Sequence, residues 1–187
     1  MKFVPTAIPE VIRIQPVIHR DERGYFLESF QRHQFASAGL PDTFVQDNQV
    51  LSTRNVLRGL HFQRQFPQGK LVTCPVGKVW DVAVDLRRHS PTFRRWVGVE
   101  LSEDNLELLY VPPGFAHGYV VLSATALFQY KCTEFYHPED EGGVRWNDPT
   151  LRIPWPVTDP VVSAKDEALP TLDPDTDGPF AYGDIYD

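Results

Sequence analysis

An all-β fold, an antiparallel sandwich or barrel, is the class this sequence predicts, and three observations carry the prediction. Short runs rich in β-branched and aromatic residues recur along the chain, turn residues separate them at near-regular spacing, and helical periodicity is scarce. Evenly spaced short strands of this kind close into sandwiches or barrels. Aromatic residues make up 12% of the chain, which favours a β-rich core over a helix bundle.

Taken in order, the first strong signal is VLRGLHFQRQFPQGKLV (56–72), which reads as two strands around a loop. KVWDVAVDL (78–86), RRWVGVEL (94–101), LELLYV (106–111), GYVVLS (118–123) and ALFQYKCTEFY (126–136) follow, bounded by Gly, Pro, Asn, Asp or Ser. The best helical pattern is ESFQRHQFASAGL (28–40), where Phe30, Phe35 and Leu40 predict a short helix ending near Gly39. Proline-rich stretches at 154–160 and 170–179 mark where the sheet gives way to a wrapping C-terminal segment. No internal repeat or low-complexity linker divides the 187 residues, a length that buries a core without staples. One domain over 1–187 is expected, with 167–187 an acidic extension, solvated or packed on the surface.

The net charge of −7 is unevenly placed. From Asp166 to Asp187 there are seven acidic residues and no basic ones, so the remainder balances at eighteen of each sign. That distribution excludes the basic stripe of a nucleic-acid surface and leaves room for a local cationic cluster facing a small anion. Cys74 and Cys132 lack metal or redox spacing and read as buried thiols of a reducing compartment. The N-terminal MKFVPTAIPEVIRIQP is broken by Pro5 and Pro9, and no run approaches a membrane span, so a cytoplasmic protein with no membrane partner is expected.

Within 56–72, Arg58, His61 and Lys70 interrupt apolar neighbours, although each costs free energy to desolvate unless something pairs with it. Of six histidines, His19, His33, His89 and His137 sit beside charged or turn residues and read as surface groups. His61 and His117 lie next to glycine in strand-like settings, RGLHF and PPGFAHGYVV. Pro112-x-Gly114-x-x-His117 matches the second motif of metal cupins, but the first motif is replaced by His61-x-Gln63 and then Lys70. An imidazole and a carboxylate are lost and an ammonium is gained, a poor divalent-cation site. Without a metal, these groups suit proton transfer beside a carbonyl: a histidine base, a lysine holding the enolate and a tyrosine returning the proton.

The chain resembles the dTDP-4-dehydrorhamnose 3,5-epimerases, metal-free cupin enzymes. The resemblance rests on DERGYFLESF (21–30), QDN (46–48), VLRGLHFQ (56–63), QGKLV (68–72), DVAVDLR (81–87), PPGFAHGY (112–119), QYKCTEFY (129–136), WNDPTLRIPWP (146–156) and SAKD (163–166). It implies a cupin-type double-stranded antiparallel jelly-roll barrel with a few short helices, no cofactor, a dTDP-sugar substrate and a homodimer. By the same resemblance His61 is the base at C5 and C3, Asp166 orients it, Lys70 stabilises the enolate and Tyr130 protonates the opposite face. Arg23, Glu28, Gln46, Asp47, Asn48, Arg58, His117, Glu141 and Lys165 are implied to bind substrate, Arg23 across the dimer interface, with Phe26 packing near the thymine or sugar. Taken singly, Arg23 reads as a turn residue, Glu28 as a helix-start charge and Glu141 as part of an acidic loop; the motif context favours binding.

Two departures stand out. The family commonly carries a serine where this chain has Val50, with Ser52 retained at the next inward step, and Asn55 stands where a glycine is frequent. A hydroxyl lost near the sugar bears on which carbon is inverted, so a single-position epimerase is the nearest alternative, followed by a metal-dependent cupin and a non-catalytic sugar-nucleotide binder. Strict alternation also puts Arg58 and His61 on opposite faces, so both reach one cavity only if the strand is irregular near Gly59.

Overall fold

The structure is a computed structural model that describes residues 1–173 and 178–181. Its elements in chain order begin with β1 (Lys2–Pro5), β2 (Ile12–Gln15), β3 (Ile18–Asp21), β4 (Gly24–Leu27) and α1 (Arg32–Ser37). The central strands are β5 (Gln46–Thr53), β6 (Leu57–Gln63), β7 (Lys70–Val76), β8 (Lys78–Asp85) and the two-residue β9 (Arg87–Arg88). Then come β10 (Trp96–Ser102), β11 (Leu108–Val111), β12 (Phe115–Val121), β13 (Thr125–Cys132), β14 (Glu141–Gly143), α2 (Ala164–Glu167) and β15 (Phe180–Ala181).

Two antiparallel sheets face each other as a jelly-roll sandwich. One has the order β1-β2-β11-β7-β13-β5 and the other β10-β8-β12-β6-β14. The inward positions of both, including Val72, Cys74, Val79, Ala83, Leu109, Tyr119, Val121 and Phe128, make the central core. Each sheet is also covered outside. Phe35 of α1, with Phe3, Phe30 and Phe44, packs over Ile14, Leu71, Leu108 and Tyr110, while Leu151, Ile153, Trp155, Leu172 and Phe180 cover Leu60, Phe62, Val82, Val84 and Leu86. Burial on both faces explains why apolar residues fall at consecutive rather than strictly alternating positions along β8 and β12.

Most of the expected strands are present with edges shifted by the ends of their pairing. The run 126–136 forms β13 only to Cys132, where its partners β5 and β7 also run out, at Gln46 and Lys70. The helix expected over 28–40 is a correction: it covers Arg32–Ser37, capped by the Gln31 side chain, which accepts from the Gln34 amide at 2.8 Å. Phe30 lies outside it and meets Phe35 and Phe44 edge-on at 4.8 and 5.4 Å, so its spacing records aromatic packing rather than a helical turn. His137 is also not free on the surface, since its ring stacks on Phe66 at 4.3 Å. Both cysteines are buried free thiols.

The irregularity expected near Gly59 is present. Along β12, His117 pairs with His61 and Tyr119 with Arg58, so two steps on one strand face three on the other, a bulge. Leu60 and Phe62 therefore point to the outer cluster, while His61 and Arg58 both line the space between the sheets. Gly59 has φ 117°, and a Cβ there would lie 2.7 Å from the Gly118 Cα and the His117 carbonyl oxygen. Gly59, two residues before His61, and Gly118, beside His117, let the backbones close up at the bulge.

Of the acidic extension, residues 174–177 and 182–187 lie outside the described residues. In the described part, Leu172 packs on the outer cluster and β15 runs parallel to β9. No helix among the described residues is long and apolar enough to cross a membrane.

Candidate active site

At one end of the sandwich the apolar filling stops and a cavity of about 270 Å³ opens, lined by β5, β6, β7, β12, β13 and the segment around α2. Two histidines face each other on its wall, and each is tied to a carboxylate behind it. His61 Nε2 lies 2.8 Å from Asp166 Oδ1, and His117 Nε2 lies 2.9 and 3.0 Å from the oxygens of the fully buried Asp81. Asp166 comes from α2, whose first turn is fixed by Ser163 Oγ accepting from the Asp166 amide, and its Oδ2 accepts from the Gly59 amide at 3.1 Å. Burial alone would raise the Asp166 carboxyl, but the His61 contact, the Gly59 amide and Ser163 together hold it below the usual carboxylate range. With the Nε2 proton given to Asp166, His61 keeps the Nδ1 lone pair that a general base needs.

Lys70 and Tyr130 stand on the facing sheet, the ammonium 6.0 Å from the centre of the phenol ring. Lys70 makes no ion pair among the described residues, and burial pulls its pKa down, with Cys132, Glu141 and Asp81 opposing. Burial pushes the Tyr130 phenol up to about 12, so it stays a proton donor across the neutral range. A histidine base, a buried lysine and a protonated phenol around one cavity suit enolisation beside a carbonyl.

A cupin metal does not fit these donors. Gln63, at the position of the second imidazole, donates to the carbonyls of Phe66 and Phe135 and accepts from the His137 amide, and Lys70 adds positive charge. Among the described residues no group of three His, Cys, Asp or Glu side chains is placed to hold a metal ion.

Comparison with known proteins shows the family. The family model described as dTDP-4-dehydrorhamnose 3,5-epimerase matches residues 5–174. The chain belongs to this family. It is 53% identical over 176 residues to the dTDP-4-dehydrorhamnose 3,5-epimerase of Salmonella typhimurium, covering 92% of this chain and 96% of that one. It is also similar to the crystal structure of the dTDP-6-deoxy-D-glucose-3,5-epimerase of Legionella pneumophila in complex with dTDP-4-keto-L-rhamnose, with TM-score 0.88, 50% identity, and 91% and 92% of the two chains covered. The dTDP-4-dehydrorhamnose 3,5-epimerase of Bacillus anthracis, crystallised with TDP and PPi bound, gives TM-score 0.89 and 43% identity over 91% of this chain and 99% of that one.

The remaining residues that the family pattern singles out fall into four groups. Arg58 lines the cavity with His61, its Nε donating to Ser52 Oγ at 3.2 Å, and it makes no ion pair among the described residues. At the mouth, Lys165 Nζ and Tyr136 Oη both reach Glu141 Oε2 at 2.6 Å, and Lys165 and its neighbours hold Glu141 ionised against its burial. Gln46 and Asn48 point inward from β5 and line an adjoining space of about 290 Å³ that shares His61, Lys70 and Tyr130 with the first. Arg23, Glu28 and Asp47 are not brought there within this chain. Asp47 points out of the alternating edge strand β5 and pairs with Lys131 at 2.8 Å, Glu28 is exposed with Gln34 beside it, and Arg23 pairs with Asp21 at the tip of the β3–β4 hairpin. The sequence reading left out Asp81, Tyr119 and Tyr136. Asp81 carried a signal, an inward aspartate in an apolar strand; Tyr119 and Tyr136 are indistinguishable in sequence from core and loop tyrosines.

Proposed function

We propose that this chain inverts C5 and C3 of dTDP-4-dehydro-6-deoxy-D-glucose to give dTDP-4-dehydro-L-rhamnose. His61 takes the C5 proton, the C–H electrons move into a C4 enolate held by Lys70, and Tyr130 returns a proton to the opposite face. Enolisation toward C3 repeats the step on the other flank of the ketone. The observation that carries this reading is the placing of His61, Lys70 and Tyr130 around one cavity with Asp166 behind the base. Arg58 and Lys165 take the diphosphate, a task suited to a guanidinium fork and an ammonium, while Gln46, Asn48, His117 and Glu141 orient the rest of the nucleotide sugar.

The active unit we infer is a homodimer, in which the β3–β4 hairpin delivers Arg23 and Phe26 to the neighbouring site. In its support, among the described residues the hairpin forms a two-stranded sheet of its own and leaves Tyr25 and Phe26 exposed at 47% and 68%. Glu28 and Asp47 act in this reading from the same interface. The buried free thiols favour a cytoplasmic setting. Purified protein dialysed against chelator tests the reading: full conversion to the product inverted at both centres supports it, and dependence on restored metal overturns it. Sedimentation showing a fully active monomer overturns the dimer.

A further inference from the structure

One polar group on the cavity wall is used by none of these steps. Tyr119 is 5% exposed, its ring lies against Phe128 at 4.0 Å and 23°, and its buried hydroxyl has no hydrogen-bond partner among the described residues. A buried hydroxyl left unpaired costs free energy, and one on a cavity wall is satisfied by whatever enters the cavity. Val50 pairs with Phe128 across β5 and β13, and all three line the cavity, so this stretch of wall is apolar apart from that phenol. Ser52 is close enough to pull the Tyr119 pKa down slightly, but its Oγ accepts from Arg58 at 3.2 Å and makes no hydrogen bond to the phenol that meets distance and angle limits. Across the bulge Tyr119 is paired with Arg58, at the diphosphate end, while its ring neighbour Phe128 leads to Tyr130 at 6.1 Å, at the ketone end.

We propose that the Tyr119 hydroxyl is a substrate-positioning group that donates a hydrogen bond to a ring hydroxyl of the hexose between its diphosphate and its ketone. It thereby supplies, from β12, the hydroxyl that position 50 lacks with valine. The proposal rests on the sugar-nucleotide reading above. Burial raises the Tyr119 phenol, which keeps it protonated as a donor.

The test is calorimetric binding of dTDP-L-rhamnose and of dTDP alone to the unsubstituted protein, Tyr119→Phe, Val50→Ser and the double variant. Tyr119→Phe weakens dTDP-L-rhamnose about tenfold, the loss expected for one hydrogen bond, and leaves dTDP unchanged. Adding Val50→Ser recovers most of that loss by returning a hydroxyl to the same wall. Equal affinities in Tyr119→Phe and the unsubstituted protein, or equal weakening of both ligands, overturn the proposal. The binding ratio decides Tyr119 whether or not the protein turns substrate over, so failure of the epimerase reading shows separately, as tight binding without conversion.

Discussion

His61 and Asp166 stand 105 residues apart in the chain and 2.8 Å apart in the structure, and the same carboxylate holds the Gly59 amide at the bulge. One side chain thus fixes both the tautomer of the base and the backbone that carries it. Replacing Asp166 by Asn keeps the shape but removes the charge that stabilises the imidazolium. Steady-state kinetics are expected to show kcat lowered about a hundredfold or more, with a smaller change in KM. Unchanged kcat would remove Asp166 from the mechanism.

Acid sensitivity follows from the same carboxylate. Asp166 and Glu141 have folded-state pKa values below their ordinary 3.8 and 4.5, so the unfolded chain binds more protons in that range. Their stabilisation is complete above the ordinary values and is lost as pH falls through the folded ones. The thermal midpoint is expected to be nearly flat from pH 7 to about 5 and to drop below about 4. Asp166→Asn should flatten that drop, and an identical acid profile in the variant would contradict the assignment.

Lys70 and Tyr130 separate two parts of the reaction. Burial lowers the Lys70 pKa from 10.5, so activity is expected to fall on the alkaline side below that value, while Tyr130, at about 12, does not titrate there. Tyr130→Phe is expected to keep solvent exchange at C5, because His61 can trade the proton it took for one from solvent and return that to the same face, yet to lose inversion at C5. Retained inversion would assign the opposite-face proton to another group.

Gly59→Ala places a methyl 2.7 Å from the Gly118 and His117 backbone at a φ of 117°. A cost of about 2–4 kcal/mol is expected, from overpacking and a left-handed backbone together. Urea denaturation measures it, and a cost below about 1 kcal/mol would show that the bulge is not held by close approach.

Much of this was legible in the chain. Strand runs were visible because β-branched and aromatic residues mark them, and the out-of-phase spacing of Arg58 and His61 demanded the bulge found at Gly59. Strands β1 to β5 were not visible: they are four residues long, or, like QDNQVLST, polar at the sheet edge with little apolar signal. The helix boundary was misread because Phe30 serves an aromatic cluster with helical spacing by coincidence. Asp47, Arg23 and Glu28 show the limit of motif transfer within one chain, since alternation along β5 turns Asp47 outward and the hairpin carries the other two away from their own cavity. Tyr119 escaped notice because an unpaired hydroxyl is a property of packing, not of sequence.

The central claim is that one cavity takes protons from both carbons beside the ketone. Incubating the protein with dTDP-4-dehydro-6-deoxy-D-glucose in heavy water and following the sugar by proton NMR tests it most directly. Deuterium entering at both C3 and C5, with both abolished by His61→Ala, is the predicted result. Exchange at a single carbon, or exchange that survives loss of His61, would contradict it.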